Sequence, residues 1–453
     1  MFVKIIKIGS QSPLKNKQSF YEDKQTKKFF LIFLISFSSY AISAEQYLLK
    51  PDQLITADDA VVHPGWEVLV EGNHIKAVGK NLSITSDTKI IALPGSTLLP
   101  GLMDLHTHLF LHPYNENSWD AQVLNESLVT RTLRASKQAR SSLENGFTFL
   151  RDLGTEGASN ADFYLKNAIN DGTIIGPRLQ VSTRAIVALG AYGPLRRNYA
   201  SDIPQGAEEV SGIDQIVSAV RRQSAAGADW IKLYVDFEVG INSENHPTLT
   251  QEEIQAAVTM AHGLGRKVSA HATSEEGMRR ATMAGVDTIE HGFSGTEKVF
   301  KLMATKGVTY IPTLTQVDYY SIFFQHYDPL TMPPTADMQQ SEQAFRLARK
   351  AGVLIAAGSD AGVYPHGENG RELIKMVDYG MTPAEAILAA TSSSAKVLGV
   401  QSSLGKIKPG FLADIIAVNG DPSKDIRNIR KINFVMKDGS IIIQPHQQAL
   451  MKQ

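Results

Sequence analysis

Five strand-like stretches of this chain end in side chains that can donate an electron pair to a metal ion. "DLHTHLF" (104–110) carries His106 and His108, "WIKLYVDF" carries Lys232 and Tyr234, "KVSAHATS" carries His271, "DTIEHGF" carries His291, and "VLIAAGSDA" carries Asp360. Successive side chains of a strand alternate faces, so His106 and His108 look the same way, as do Lys232 and Tyr234. Neutral imidazoles bind Zn2+ well and an aspartate adds an anionic oxygen, so four histidines and one carboxylate suit one or two divalent ions. The chain has no cysteine, which excludes disulfides, thiolate metal sites and cysteine nucleophiles.

Lys232 needs a separate argument. An ammonium buried beside metal cations is strongly unfavourable, so this lysine must be neutral, paired or chemically altered. A neutral amine can add CO2 to give a carbamate, an anion able to bridge two metals. That alteration removes the electrostatic conflict.

The elements that position these residues are legible in outline. From about 98 to 400, short apolar or β-branched runs alternate with helix-like stretches such as "TRTLRASKQARSSLENG", "IDQIVSAVRRQSAAGA" and "TQEEIQAAVTMAHGLGR". Several of these end in Gly, as helix C-termini do. Eight such strands predict a (β/α)8 barrel, whose site is built at the C-terminal ends of the strands. An open doubly wound sheet is the competitor, but the chain carries no GxGxxG or P-loop fingerprint for it. The two ends, 45–97 and 401–445, alternate at a period of two. Each holds a hairpin signal, Gly-Asn at 72 and 73 and Asp-Gly at 438 and 439. They are expected to pair into one composite β domain beside the 98–400 barrel.

The composition fits a large globular protein: 453 residues, 43% hydrophobic, 20% charged, net charge −1. No basic stripe marks a nucleic-acid partner, so a small molecule or a dipeptide-like compound is the expected one. Homo-oligomerisation stays open. Residues 1–44 resemble a signal peptide region, because Lys27 and Lys28 precede the apolar run "FFLIFLISFSSYAIS", which leads to the small residues Ser43 and Ala44. The run is short for a membrane span, so the expectation is an exported protein, periplasmic or secreted, with no stable span after cleavage. The leader holds seven lysines and two acidic residues, and its removal leaves an acidic chain.

The ordered set "LLPGLMDLHTH", "WIKLYV", "VSAHA", "TIEHG" and "AAGSDAGVYPHG", with the late "MTPAEAILAATSSSAKVLGV" and "LGKIKPGFLADIIAVNGDP", resembles the amidohydrolase superfamily of metal-dependent hydrolases. Within it, the chain is most similar to the group of Xaa-Pro dipeptidases and imidazolonepropionase-like enzymes. The resemblance implies a distorted (β/α)8 barrel with a composite β-sandwich made from both ends, 45–97 and 401–445, and a binuclear centre, usually zinc. By the same resemblance His106 and His108 bind the more buried ion, His271 and His291 the more exposed one, Lys232 is the carboxylated bridge, and Asp360 binds the buried ion and moves the proton. Many members carry Gly-Gly-His-Gly after the third strand, where this chain has "LGAYG" (189–193), so Tyr192 stands in place of that histidine.

The expected reaction is cleavage of a C–N bond in a dipeptide-like or N-acyl amino acid substrate. Two divalent cations lower the pKa of a shared water enough to hold hydroxide near neutral pH. Asp360 takes the proton of that nucleophile and returns it to the leaving nitrogen. Tyr234 is placed to donate to the developing oxyanion or to a substrate carboxylate. Arg184, Arg196, Arg197, Tyr192 and His366 lie on loops after strands three and eight, where specificity is set; an arginine there can clamp a carboxylate. A mononuclear deaminase fits less well, since Glu275 lies one position too far beyond His271 and strand four carries a lysine. A lactonase, phosphotriesterase or arylesterase would use the same centre. A non-catalytic exported binding protein would be expected to have lost a ligand, and none is missing.

Overall fold

The two ends of the chain share one sheet. In the computed structural model, residues 45–58, 61–194, 203–240 and 244–445 are described; the leader, Arg196 and Arg197 lie outside them. Lys89–Pro100 runs antiparallel to Ile415–Asn419, with Leu99 opposite Ile416, and parallel to Gln46–Ile55. The sheet has eight strands. Both predicted hairpins form in it. Glu71 pairs with His74 across Gly72 and Asn73, and Lys437 pairs with Ser440 across Asp438 and Gly439. Asp438 and Gly439 both take left-handed backbone, at φ 52° and 74°, as a two-residue turn that follows the twist of its strands requires. The tips of the two hairpins meet: a Cβ on Gly439 would stand 2.1 Å from the carbonyl oxygen of Gly72. Leu49, Leu54, Val68, Val70, Leu98, Ile415, Phe434 and Met436 form the apolar core of this sheet.

Parallel strands with helical crossovers occupy the middle of the chain, giving a mixed α/β fold. Strands β1 (Leu102–Thr107), β2 (Phe147–Asp152) and β3 (Arg178–Val181) form one parallel sheet. Strands β4 (Trp230–Tyr234), β5 (Lys267–Ala272), β6 (Thr288–His291) and β7 (Thr309–Ile311) lie side by side in a second. Between them run helices such as Leu128–Glu144, Gln251–Gly263 and Glu275–Ala284. Gly285, Gly307, Gly352 and Gly399 end four helices in left-handed conformation, which costs glycine no Cβ clash.

The eighth predicted strand departs from regular form. Residues 353–361 make only isolated bridges, Ile355 with Tyr310 and Ala361 with Thr107. They are nevertheless hydrogen-bonded on both sides: Ala356 N–H to the Tyr310 carbonyl at 3.2 Å, and Leu105 N–H to the Ala357 carbonyl at 2.9 Å. The reason for the irregularity lies in three consecutive residues. Gly358 packs against the Cβ of His106, Ser359 directs its N–H and hydroxyl to the Asp104 carboxylate, and Asp360 sits at φ 60°. The segment thereby leaves a flat ladder, although Asp360 still donates its N–H to the His106 carbonyl at 2.7 Å. Among the described residues no helix is long and apolar enough to cross a membrane.

Candidate metal centre

The predicted ligands converge although they come from different strands. His106 lies in β1 and His108 just beyond it, Lys232 in β4, His271 in β5, His291 at the end of β6, and Asp360 in the irregular eighth segment. Asp360 Oδ1 is 3.5 Å from His106 Nε2 and 3.3 Å from His108 Nε2. His106, His108 and Asp360 each present a ligand atom, all within 4.8 Å of one another. The ring of His291 is 4.9 Å from that of His106 and 4.6 Å from that of His271, which links all four imidazoles. Lys232 is fully buried, with Nζ 5.4 Å from the Tyr234 ring, and that ring stacks on His271 at 4.5 Å.

Each histidine is aimed by a partner on its far side. His106 Nδ1 is 2.8 Å from Glu290 Oε2, His108 Nδ1 is 2.9 Å from the Gly154 carbonyl, and His291 Nδ1 is 2.8 Å from Thr313 Oγ1. Occupying Nδ1 leaves Nε2 as the free electron pair. His271 is reversed: its Nε2 approaches Asp236 at 3.9 Å and its Nδ1 is the free nitrogen. Three buried atoms of this group, His106 Nε2, His271 Nδ1 and Lys232 Nζ, have no hydrogen-bond partner among the described residues. Buried polar atoms are seldom left so; a cation would satisfy the two imidazole nitrogens, and Lys232 Nζ would be satisfied only as an altered, uncharged group.

Electrostatics agree with ligand chemistry. Burial, reinforced by neighbouring positive charge, holds His106, His271 and His291 well below the usual imidazole range, so they are neutral. Burial lowers Lys232 to about 8 against the pull of Glu290 and Asp360. Burial also raises Asp360. His291 and Asp360 both adopt positive φ, 70° and 60°. For residues with a Cβ that backbone is strained, and strain of this kind gathers at functional sites.

The supporting shell contains residues the sequence did not single out. Glu290 is fully buried beneath His106 and accepts from Arg151 Nη2 at 2.9 Å, Ser269 Oγ at 2.8 Å and Thr288 Oγ1. Its only signal is adjacency to His291 in "TIEH". Strict alternation would put neighbours on opposite faces; the left-handed backbone at His291 turns both side chains toward the site. Asp104 takes N–H bonds from His106 and Ser359 and one from Asn369 Nδ2, tying β1 to the eighth segment. Glu156, at φ 49°, accepts from Trp119 Nε1 at 3.0 Å and from the Tyr192 hydroxyl at 2.8 Å.

The loop residues expected to contact substrate divide into two kinds. The Tyr192 hydroxyl lies 3.4 Å from that of Tyr234, so these two join the wall beside His271. His366 is buried, held neutral by burial to about 4, and its Nε2 is 3.2 Å from the His108 carbonyl, so it supports the strand end. Arg184 donates to the Ala207 carbonyl. Among the described residues no hydrogen bond or ion pair joins it to the histidines, Lys232 or Asp360.

Residues 97–442 match the model of the amidohydrolase family. Ochratoxinase from Aspergillus niger is 29% identical over 449 residues, spanning 87% of this chain and 90% of that protein. A solved Xaa-Pro dipeptidase with methionine bound in its active site is 32% identical, covers 88% of this chain and all of that one, and superposes with a TM-score of 0.79. A prolidase solved with N-methylphosphonate-L-proline is 25% identical, with the same coverage and a TM-score of 0.77. Matched along most of its length, this chain belongs to the amidohydrolase family and is a hydrolase acting on carbon–nitrogen bonds.

Proposed function

We propose that the chain is an exported, binuclear metal-dependent amidohydrolase that cleaves the amide bond of a dipeptide-like or N-acyl amino acid substrate. The observation that carries this reading is the set of buried nitrogens left without a hydrogen-bond partner among the described residues, His106 Nε2, His271 Nδ1 and Lys232 Nζ, beside the cluster of His106, His108 and Asp360. The likeness to a Xaa-Pro dipeptidase and to a prolidase supports the substrate class. In this reading 98–400 is a distorted (β/α)8 barrel, 45–97 with 401–445 its β-sandwich companion, and 1–44 a signal peptide. The hydrogen bonds of residues 354–361 to both β7 and β1 support closure of the barrel.

His106, His108 and Asp360 would hold one ion, His271 and His291 the other, and Lys232, as a carbamate, would join them. When bound, two divalent cations, zinc by the ligand set, supply a nucleophilic water near neutral pH and polarise the scissile carbonyl. Lys232 must be neutral to take up CO2, and its lowered pKa brings that within reach. Asp360, with a burial-raised pKa, suits a carboxylate that accepts a proton from the attacking water and passes it to the leaving nitrogen. The Tyr234 hydroxyl stands beside His271 to donate to the developing oxyanion.

Metal analysis combined with a substrate panel tests the proposal. Expected are about two zinc per chain and turnover of members of a panel of dipeptides, including Xaa-Pro, and N-acyl amino acids. Turnover confined to lactones, aryl esters or phosphotriesters overturns the amide reading, and a chain that takes up no metal after supplementation overturns the centre. Sequencing the N-terminus of the exported protein tests removal of residues 1–44.

A further inference from the structure

Glu156 is 2% exposed, and its two carboxylate oxygens are treated differently. Oε2 accepts from Trp119 Nε1 and the Tyr192 hydroxyl, at 3.0 and 2.8 Å. Oε1 has no hydrogen-bond partner among the described residues. A carboxylate oxygen only accepts, so a buried one left bare calls for a donor or a cation from outside the chain. Among the neighbouring cations, Arg131 gives its Nε and Nη2 to the backbone carbonyls of Phe110, Thr155 and Glu156, and neither it nor Lys232 makes a hydrogen bond to Oε1.

The surroundings of that oxygen are aromatic. Trp119 meets Tyr192 edge-on at 5.0 Å, Tyr192 packs on Tyr234 at 4.7 Å and on Phe237 at 5.0 Å, and Tyr234 continues to His271. Burial, and after it the charge of Glu156, raises the phenols of Tyr114, Tyr192 and Tyr234, and the Tyr192 hydroxyl bonds Glu156 directly. Aromatic faces around a carboxylate favour an organic cation over a hard metal ion, which would need several oxygen ligands. The backbone passes close to that carboxylate: Gly154 is at φ 148°, and a Cβ there would stand only 3.1 Å from Oε1.

Position selects the kind of cation. Oε1 is 3.7 Å from His108 Nδ1, while Nε2 of the same ring faces Asp360. The bare oxygen and Asp360 are therefore both neighbours of the His108 ring. An α-ammonium, borne on the carbon next to the scissile carbonyl, is the substrate cation held nearest to this ring, whereas a side-chain ammonium lies further along. We infer that Glu156, held by Trp119 and Tyr192, recognises the free α-ammonium group of an aminoacyl substrate and so selects unblocked dipeptides over their N-acylated forms.

This inference rests on the amide-hydrolase reading, and two measurements on the metal-loaded enzyme separate them. The first compares kcat/KM for a dipeptide and its N-acetyl derivative in the wild type and in Glu156→Gln. The unblocked dipeptide should be preferred, and the preference should fall on the order of 10- to 100-fold in the variant, the range for a lost bond to a charged group. A wild type that is indifferent or prefers the acetylated compound, or a preference unchanged by the substitution, overturns the inference and leaves amide hydrolysis standing. The second is calorimetric binding of phenethylammonium against its neutral isostere 3-phenylpropanol. Tighter binding of the ammonium, weakened in Glu156→Gln, supports the site even if neither amide is turned over, which would count against the amide reading alone. Equal binding of the two probes overturns the site.

Discussion

His106 Nδ1 and Glu290 Oε2 are 2.8 Å apart, and both side chains are fully buried. Glu290 also receives the Arg151 guanidinium, which lies over the Trp230 ring with its Cζ 4.3 Å from the centroid. The carboxylate thus stands between a fixed cation and a proposed ligand, where it fixes the tautomer of His106 and directs Nε2 toward Asp360.

Replacing Glu290 with Gln retains the shape and removes the charge. Metal affinity or kcat should fall about 10- to 100-fold, the usual effect of losing such a supporting carboxylate. Titration with a chelator, read beside kcat, checks this; unchanged affinity and turnover would exclude the supporting role.

Asp360→Asn keeps a ligand oxygen but cannot carry a proton. Turnover should drop by about 100- to 10,000-fold, while circular dichroism stays that of the folded chain. Activity within a few-fold of wild type would place the proton transfer on another group.

Lys232 ties recovery of the metal-free enzyme to pH. Its pKa is lowered from 10.5 to about 8, so the neutral amine that adds CO2 is the minor form below that value. At fixed dissolved CO2 and excess zinc, the reactivation rate should rise about tenfold per pH unit below 8 and level off above it. A flat profile, or full recovery without CO2, would rule out the carbamate.

Glu372 provides a stability test away from the metal. It caps the helix Leu314–Phe324 by accepting from Leu314 N–H at 2.9 Å and Thr315 N–H at 2.8 Å. Burial raises it from 4.5 to about 8 despite those bonds. Between these two values the folded chain binds more protons than the unfolded one, so this group's contribution to stability is lost as pH rises from about 4.5 to 8. Glu372→Gln lacks that slope. Its Tm relative to wild type should climb across the window, by the equivalent of a few kcal/mol; parallel profiles would refute the raised pKa.

What the sequence determined by itself was set by local rules. Period two put His106 and His108 on one face and Lys232 with Tyr234 on another strand, and the structure brings all four to the neighbourhood of Asp360. Turn chemistry located both hairpins, because Gly and Asp in left-handed backbone need no distant partner. Tertiary structure alone decided the rest. The join of Leu99 to Ile416 depends on a pairing across most of the chain. Glu290 escaped the pattern because alternation breaks at the left-handed His291 that ends its strand, and Glu156 because it lies in the loop beyond Phe147–Asp152, where no alternation applies. Arg184 and His366 took supporting contacts rather than open positions, since a loop side chain goes where a distant carbonyl, of Ala207 or of His108, lacks a donor.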